Sequence, residues 1–522
     1  MKQSFLAVTA LVVTSLPVLQ AAETSTSRKP NIILILADDL GIGNISAYGA
    51  DNFKTPNLDA LAKSGIRYER CFSAPVCGPS RALLMTGRYG FRTGMIGNDK
   101  DSPKILAAAA TSEIMIPKVL KPVGYVTGQV GKWSQVPLEP SDWGFDEFLR
   151  FKASGDYWNT QERAESYTLN GKQVPLADGE YLPDKMNDFA IDFITRHKDE
   201  AFFLYYPMSH VHTDILRTPD SAPDSKDLFM DNINYMDKLV GQLTAALERL
   251  KLRENTIVFF IGDNGVHPGE AERSTIRGRR ISGAKGMMLE GGSLVPCIAS
   301  WPGTIPADKV SQNLTDFSDF FPTIAELAGG KLPEGVTIDG RSFAPILKGE
   351  AGNPRESIFV QLGRNWYARE SAWKLTHANE LFDMSDAPFV EKAVAADSTD
   401  PEAIAARKRL QGVLTQLNVS GGKISHGDGT GKNEEKPEKP AKKVKAKRGE
   451  SPAPAPVPET TPADERVAKF DKLDKGKTGK IPREQYLAKQ SDAEKGAKRF
   501  DKLDTNQDGA LSREEFTAAP AK

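Results

Sequence analysis

Cys77-Gly78-Pro79-Ser80-Arg81-Ala82-Leu83-Leu84-Met85-Thr86-Gly87-Arg88 is the stretch on which the reading of this 522-residue chain turns. Taken alone it is a cysteine beside a Pro-Ser turn, a pattern that a buried structural thiol also satisfies. Two acidic pairs give it company. Asn31 to Ala37 (N-I-I-L-I-L-A) is a continuous apolar run, as expected for a strand buried on both faces of a parallel sheet, and it ends in Asp38-Asp39. Thr256 to Ile261 is a second such run and ends in Gly262-Asp263-Asn264-Gly265. Phe202 to Tyr206 reads as another short strand, Asn57 to Ser64 as a helix begun by Pro56, and Asp231 to Leu250 as an amphipathic helix. Strands alternating with helices, with polar residues at strand ends, predict an α/β fold with its site at the carboxyl edge of the sheet.

The length predicts two to four domains. With 68 basic against 69 acidic residues the charge balance gives no argument for a nucleic-acid partner. Residues 1–22 carry Lys2, an apolar stretch from Phe5 to Leu19 and then Ala21-Ala22, the pattern of a secretory signal. The expectation is an exported protein, periplasmic or extracellular, with no membrane span. Three cysteines, Cys71, Cys77 and Cys297, make no disulfide framework; a Cys71–Cys297 bridge and two buried free thiols are the two readings of the pair. After about Pro345, Ser357 to Leu362, Ala372 to Thr376 and Glu380 to Phe382 read as short strands and Pro401 to Leu417 as a helix. Residues 421–462 are dense in Lys, Glu, Pro, Ala and Gly and read as a disordered linker, in which Lys432 to Arg448 holds eight basic and three acidic residues.

Residues 463–520 contain two related segments, one from Phe470 and one from Phe500. The second fits the twelve-residue EF-hand loop: Asp504, Asn506, Asp508, the Ala510 carbonyl, Ser512 and Glu515 as ligands, with Gly509 at the sharp turn. The first keeps Asp474 and Gly479 but has Gly476, Thr478 and Gln485 where ligands belong, so it is expected to serve as a structural partner of the second.

The Cys77 stretch reads C-x-P-S-R-x-x-L-x-T-G-R and resembles the signature of type I, arylsulfatase-like sulfatases. The resemblance implies that a formylglycine-generating enzyme converts Cys77 to Cα-formylglycine. One hydroxyl of its hydrated aldehyde attacks sulfur and the other expels sulfate, avoiding the stable ester a plain serine would leave. It implies an alkaline-phosphatase-like core over residues 29–345, with a mixed central sheet flanked by helices. A small antiparallel-sheet subdomain over 346–420 follows, with the all-α EF-hand pair beyond it. Asp38, Asp39, Asp263 and Asn264 match the family's metal ligands, joined there by an oxygen of residue 77. Their oxygen-only chemistry suits calcium, with a second calcium at the EF-hand. Lys132, in Gly131-Lys132-Trp133, and Lys285, in Gly283-Ala284-Lys285-Gly286, match the sulfate-binding lysines. Arg81 matches the residue that steadies the diol, and His212 the one that protonates the departing alcohol. His210 is read either as its neighbour or as a substrate-binding residue of the subsite. Gly144 to Phe148, Trp301-Pro302-Gly303 and Asp339 to Ser342 are further family-like phrases.

One position departs from the pattern. Many sulfatases read G-K-W-H at the first lysine, and this chain has Ser134, whose hydroxyl does not titrate near neutrality. The leading expectation is a sulfatase acting on a sulfated carbohydrate. Two alternatives stay open: a phosphate or phosphonate ester hydrolase of the same superfamily, and a catalytically silent calcium- or glycan-binding protein. The loops Phe151 to Pro183 and Ile215 to Lys226 are expected to choose the substrate, with Tyr157, Trp158 and Arg163 as residues that stack on or pair with a sugar.

Overall fold

Every residue of Asn31–Ala37 (β1) is buried, and the run divides its side chains between two cores in strict alternation. Ile33 and Ile35 enter one core; Ile32, Leu34 and Leu36 enter the other. This is the consequence of an apolar strand covered on both faces. In the computed structural model the described residues are 28–133, 136–151, 155, 157–159, 166–423, 470, 473–474, 478–487, 497, 500–501 and 503–517. The chain divides into two compact units, Met1–Lys436 and Pro437–Lys522. The expected signal segment, nearly all of the expected linker and His426 lie outside the described residues.

The first unit is built on a ten-stranded mixed sheet. After β1 its strands are Ile66–Tyr68 (β2), Val126–Lys132 (β3), Glu147–Phe151 (β4), Ser166–Leu169 (β5), Lys172–Pro175 (β6), Phe202–Pro207 (β7), Thr256–Gly262 (β8), Cys297–Ser300 (β9) and Lys309–Ser311 (β10). Their order across the sheet is β10-β2-β9-β8-β1-β7-β3-β4-β5-β6. The central strands β8, β1, β7 and β3 are parallel, with Ala37 opposite Gly262 and Leu36 opposite Pro207, so β1, β7 and β8 finish level. Helices Pro56–Lys63 (α1), Leu182–Arg196 (α3) and Leu228–Arg249 (α4) pack on one face through residues such as Leu58, Phe193 and Leu239. Cys77–Thr86 (α2) and Phe320–Ala328 (α5) pack on the other through Leu83, Leu84, Phe320 and Ile324. The mixed sheet flanked by helices is the expected architecture.

Two elements depart from the sequence reading. Within the stretch treated as a loop, β5 and β6 form an antiparallel hairpin. Its turn is Asn170-Gly171, both at positive φ, the Asn-Gly pair that a tight hairpin favours. The region after Pro345 is a five-stranded antiparallel meander, Ile358–Leu362 (β11), Asn365–Arg369 (β12), Trp373–Thr376 (β13), Leu381–Asp383 (β14) and Lys392–Val394 (β15). β12 and β15 were not anticipated. β12 carries a buried arginine that breaks the apolar alternation, and the carboxylate that neutralises it, Glu290, is distant in sequence. Pro401–Leu417 (α6) covers this sheet through Ala403 and Leu410.

In the second unit Lys480–Pro482 pairs antiparallel with Ala510–Ser512 over a small core of Phe470, Ile481, Tyr486, Phe500 and Leu511. Asp504 accepts the Asp508 and Gly509 amides at 3.2 and 3.0 Å; Asp474 accepts those of Thr478 and Gly479 at 2.9 and 2.6 Å. The Glu515 carboxylate bonds back onto Thr505, Asn506 and Ser512, while Asp508 lies 2.6 Å from Lys480 Nζ. Gln485 donates to the Leu473 carbonyl at 2.6 Å. Gly476 lies outside the described residues. Among the described residues no helix is long and apolar enough to cross a membrane.

Candidate active site

The site forms where the central parallel strands end together. Asp38-Asp39 follow β1, Asp263-Asn264 follow β8, Lys132 is the last residue of β3, and the segment from Met208 to His212 follows β7. Backbone bonds lock these ends: Asp38 N to the His210 carbonyl (2.7 Å), Val211 N to the Asp38 carbonyl (2.6 Å) and Asp263 N to the Ala37 carbonyl (2.9 Å). Gly131 makes the approach of β3 to β7 possible. Its φ is +119°, and a Cβ there would sit 2.0 Å from the Pro207 carbonyl oxygen. Gly265 is equally constrained, since a Cβ would meet the Gly291 carbonyl oxygen at 1.6 Å.

Cys77 opens α2, a helix buried along its whole length, and Gly87 ends that helix in the left-handed conformation. The positive pole of α2 therefore lies at the cysteine. One helical turn on, Arg81 sends Nη2 to Asp263 Oδ2 at 2.7 Å and Nη1 to the Lys132 carbonyl at 3.2 Å; its Nε is buried without a partner. Lys132 Nζ lies 2.6 Å from Asp38 Oδ2, and Lys285 Nζ lies 2.6 Å from Asp39 Oδ1. Three carboxylates and three basic side chains thus share one buried space. Each is tolerable there because it is paired.

Burial pushes the Asp38 carboxyl up, but Lys132, His212, Arg81 and Lys285 outweigh this and hold it well below the usual carboxylate range. At Asp263 burial and the Asp38 charge prevail over Arg81 and Lys132, and the group is pushed up to about 7. Burial lowers Lys285, but Asp39 and Cys77 more than reverse it.

Asp38, Cys77 and Asp263 each present a ligand atom within 4.8 Å of the others, as do Asp38, Asp39 and His212. Asn264 donates Nδ2 to Asp39 Oδ1 at 2.9 Å, which leaves its buried Oδ1 without a partner; Asp38 Oδ1 accepts no hydrogen bond either and has only the Arg81 guanidinium 3.6 Å away. Orphaned buried oxygens beside clustered carboxylates are what a hard cation would satisfy, so the residues fit a metal ion. Asp39 has φ +59°, a conformation uncommon outside glycine, and its amide bonds to Asp263 Oδ1 at 3.0 Å.

His212 points Nδ1 at the Thr213 carbonyl, an acceptor only, so Nδ1 carries a hydrogen and Nε2 faces the carboxylates, 3.9 Å from Asp39 Oδ2. Burial lowers its pKa, with Asp38 and Asp39 opposing. His210 is placed otherwise than as a substrate contact. It is fully buried, with Nε2 3.0 Å from the Tyr181 hydroxyl and its ring among Tyr157, Tyr181 and Tyr235. Burial alone pushes it down to about 3. Strand alternation would put residues 210 and 212 on one side, but β7 ends at Pro207 and the chain has left strand geometry when it reaches them, so one ring turns inward and the other toward the carboxylates.

Asn98 was not singled out by sequence, yet its Nδ2 lies 3.4 Å from Cys77 Sγ and its Oδ1 accepts the Gly78 amide at 3.0 Å. Gly97-Asn98-Asp99 has the composition of an ordinary turn; only the return of the chain to the start of α2 gives it a role. Ser134 and Arg163 lie outside the described residues. Tyr157 is buried, bonding to the Ser209 and His212 carbonyls, and Trp158 donates to the Arg217 carbonyl. Cys71 and Cys297 are both buried free thiols.

The Sulfatase family model matches residues 30–330. The chain belongs to that family. This sulfatase is 32% identical to arylsulfatase A of Bos taurus over 465 residues, which covers 77% of this chain and 90% of that one. It is 35% identical to arylsulfatase A of Homo sapiens over 373 residues, covering 65% and 72%. Among solved structures it is similar to Ps i-CgsB in complex with k-i-k-neocarrahexaose, with 27% identity, TM-score 0.62, and 75% and 93% of the two chains covered. A sulfatase described with glycosaminoglycan metabolism by Bacteroides thetaiotaomicron matches at 25% identity and TM-score 0.63, covering 75% and 99%. The fold of the first unit is the alkaline-phosphatase-like sulfatase fold, and the chain is a sulfuric ester hydrolase.

Proposed function

We propose that this sulfatase is exported, depends on calcium, and releases sulfate from sulfated carbohydrates with a nucleophile at residue 77. The observation that carries the reading is the convergence of Cys77, three carboxylates and Lys132 and Lys285 at one sheet edge. The carbohydrate substrate is supported by the likeness to Ps i-CgsB, whose structure holds a neocarrahexaose.

Asp38, Asp39, Asp263 and Asn264 would hold calcium, which as a hard Lewis acid would polarise the sulfate group. Converted to Cα-formylglycine by its generating enzyme, residue 77 would supply the geminal diol that attacks sulfur and then expels sulfate. Lys132 and Lys285, now on Asp38 and Asp39, are positioned to bind the sulfate oxygens and the charge that grows on them. Arg81 offers its unpartnered Nε to the nucleophile and fixes Asp263 through Nη2. Asn98 would orient residue 77 through its amide nitrogen. His212 donates from Nε2 to the departing sugar oxygen when its ring is charged. His210 takes no part in binding; it packs the loop that carries His212.

Residues 463–520 would form the EF-hand pair and bind a second calcium through Asp504, Asn506, Asp508, Ala510, Ser512 and Glu515. Asp504 and Glu515 already gather the loop amides around them. Residues 421–462 would act as its tether.

The test is mass spectrometry of the peptide containing residue 77 from protein made with the generating enzyme, joined to sulfate-release assays on aryl, steryl and glycan sulfates. A loss of about 18 Da at Cys77, from thiol to aldehyde, with release from a glycan supports the reading. Full activity in Cys77→Ala sinks it.

A further inference from the structure

Four buried charges outside the catalytic cluster join the C-terminal sheet to the loop that carries Lys285. Arg369, at the end of β12, forks onto both carboxylate oxygens of Glu290 at 2.9 and 3.1 Å, and the two side chains are 3% and 1% exposed. Lys374 on β13 donates to the Met288 carbonyl at 3.1 Å and pairs with Glu391. Glu391 in turn accepts the Glu290 amide at 2.8 Å, and the Pro388 carbonyl accepts the Ser282 amide at 2.9 Å. Both ends of the segment 282–290 are therefore held by the C-terminal sheet and its β14–β15 connection. Between them, Lys285 N bonds to the Val266 carbonyl and Gly286 N to the Pro75 carbonyl, two residues before Cys77.

Two cations and two carboxylates in a dry contact are an expensive way to join two sheets, and apolar residues would do it at less cost. What charged forks supply is direction: a planar guanidinium and a carboxylate meet in one geometry. We infer that Arg369 and Lys374 are positioning residues, which hold the 282–290 segment through Glu290, Glu391 and the Met288 carbonyl so that the Lys285 ammonium stands over Asp39 beside residue 77. The inference rests on the reading of Lys285 as a sulfate-binding cation. It makes the C-terminal sheet part of the active-site machinery, although none of its residues needs to touch substrate.

The experiment is trace acetylation of the full-length protein with mass-spectrometric readout of Lys285 and Lys132, in the wild type, Arg369→Gln and Glu391→Gln. Glu391→Gln keeps an oxygen for the Glu290 amide but removes the charge facing Lys374, which provides a milder variant should Arg369→Gln fold poorly. Lys132 serves as the internal control, because its side chain is fully buried on Asp38 and no part of the fork reaches it. The expected result is a several-fold faster reaction at Lys285 with Lys132 unchanged. Equal rates at Lys285 in all three proteins, or a parallel rise at both lysines that marks general loosening, would overturn it. Sulfate release by the wild type is measured separately, so that a failure of the functional reading leaves the labelling result standing. With an active enzyme, Arg369→Gln should lower kcat/KM in the wild-type background and have no further effect on Lys285→Ala. The same fold-loss in both backgrounds would count against the inference.

Discussion

Asn98 holds its amide nitrogen 3.4 Å from Cys77 Sγ while its carbonyl oxygen takes the Gly78 amide, so one side chain both braces the start of α2 and faces the side chain of residue 77. A hydrogen bond to a group that gains charge is worth roughly 1.5–3 kcal/mol. Asn98→Ala should therefore lower kcat/KM by about tenfold to a hundredfold. The Tm should move little, because the helix start loses only one accepted bond. Unchanged kinetics would remove Asn98 from the site.

The fit of the oxygen cluster to a cation predicts coupled losses. Chelation should abolish sulfate release and lower the Tm. Calcium at a hundred times its Kd should restore about 2.7 kcal/mol by mass action. Asn264→Ala removes a buried orphan oxygen and should shrink this calcium-induced shift. Glu515→Gln, in the second unit, should leave activity intact and remove only the calcium binding of the EF-hand loop. Calorimetry of the two variants separates the sites.

His210 is buried neutral, with its pKa carried from 6.5 down to about 3. Between these values the unfolded chain binds the extra proton, so stability rises with pH. The contribution is fully present above about 6.5 and is lost as pH falls toward 3, on the order of 5 kcal/mol in all. His210→Phe, which keeps a ring among the tyrosines, should flatten this part of the stability–pH curve and retain sulfate release at neutral pH. His212→Ala should lose activity instead. A wild-type slope in His210→Phe would contradict the buried placement.

Ser134 stands where many sulfatases have a histidine after the lysine-tryptophan pair. A positioned base typically contributes 10²-fold or more, as an order of magnitude. Ser134→His should raise kcat if expulsion of sulfate limits turnover, and the burst of alcohol release should disappear. Slower turnover would show that another group already does this work.

The Cys77 stretch, both acidic pairs, both lysines and His212 are legible because each lies in a short local pattern at a strand or helix end. β1 and β8 are equally legible, since side chains buried on both faces leave an unbroken apolar run. β12 was not, because its buried Arg369 looks like surface sequence until Glu290 is brought against it, and β15 was not, because Lys392–Val394 is largely exposed and shows no apolar run. Asn98 carries no local signal at all.

Local sequence alone determined the chemistry on offer: a cysteine with its arginine one turn on, acids at the ends of buried strands, and lysines in glycine-flanked segments. Side-chain type and backbone propensity settle that much, since they act over a few residues. Which histidine faces the cluster and which packs among tyrosines was decided by the tertiary structure, as were the return of Asn98 to Cys77 and the grip of the C-terminal sheet on the Lys285 loop. Those outcomes depend on pairings across tens to hundreds of residues, where the cost of burying a polar group is repaid only by a partner that folding delivers.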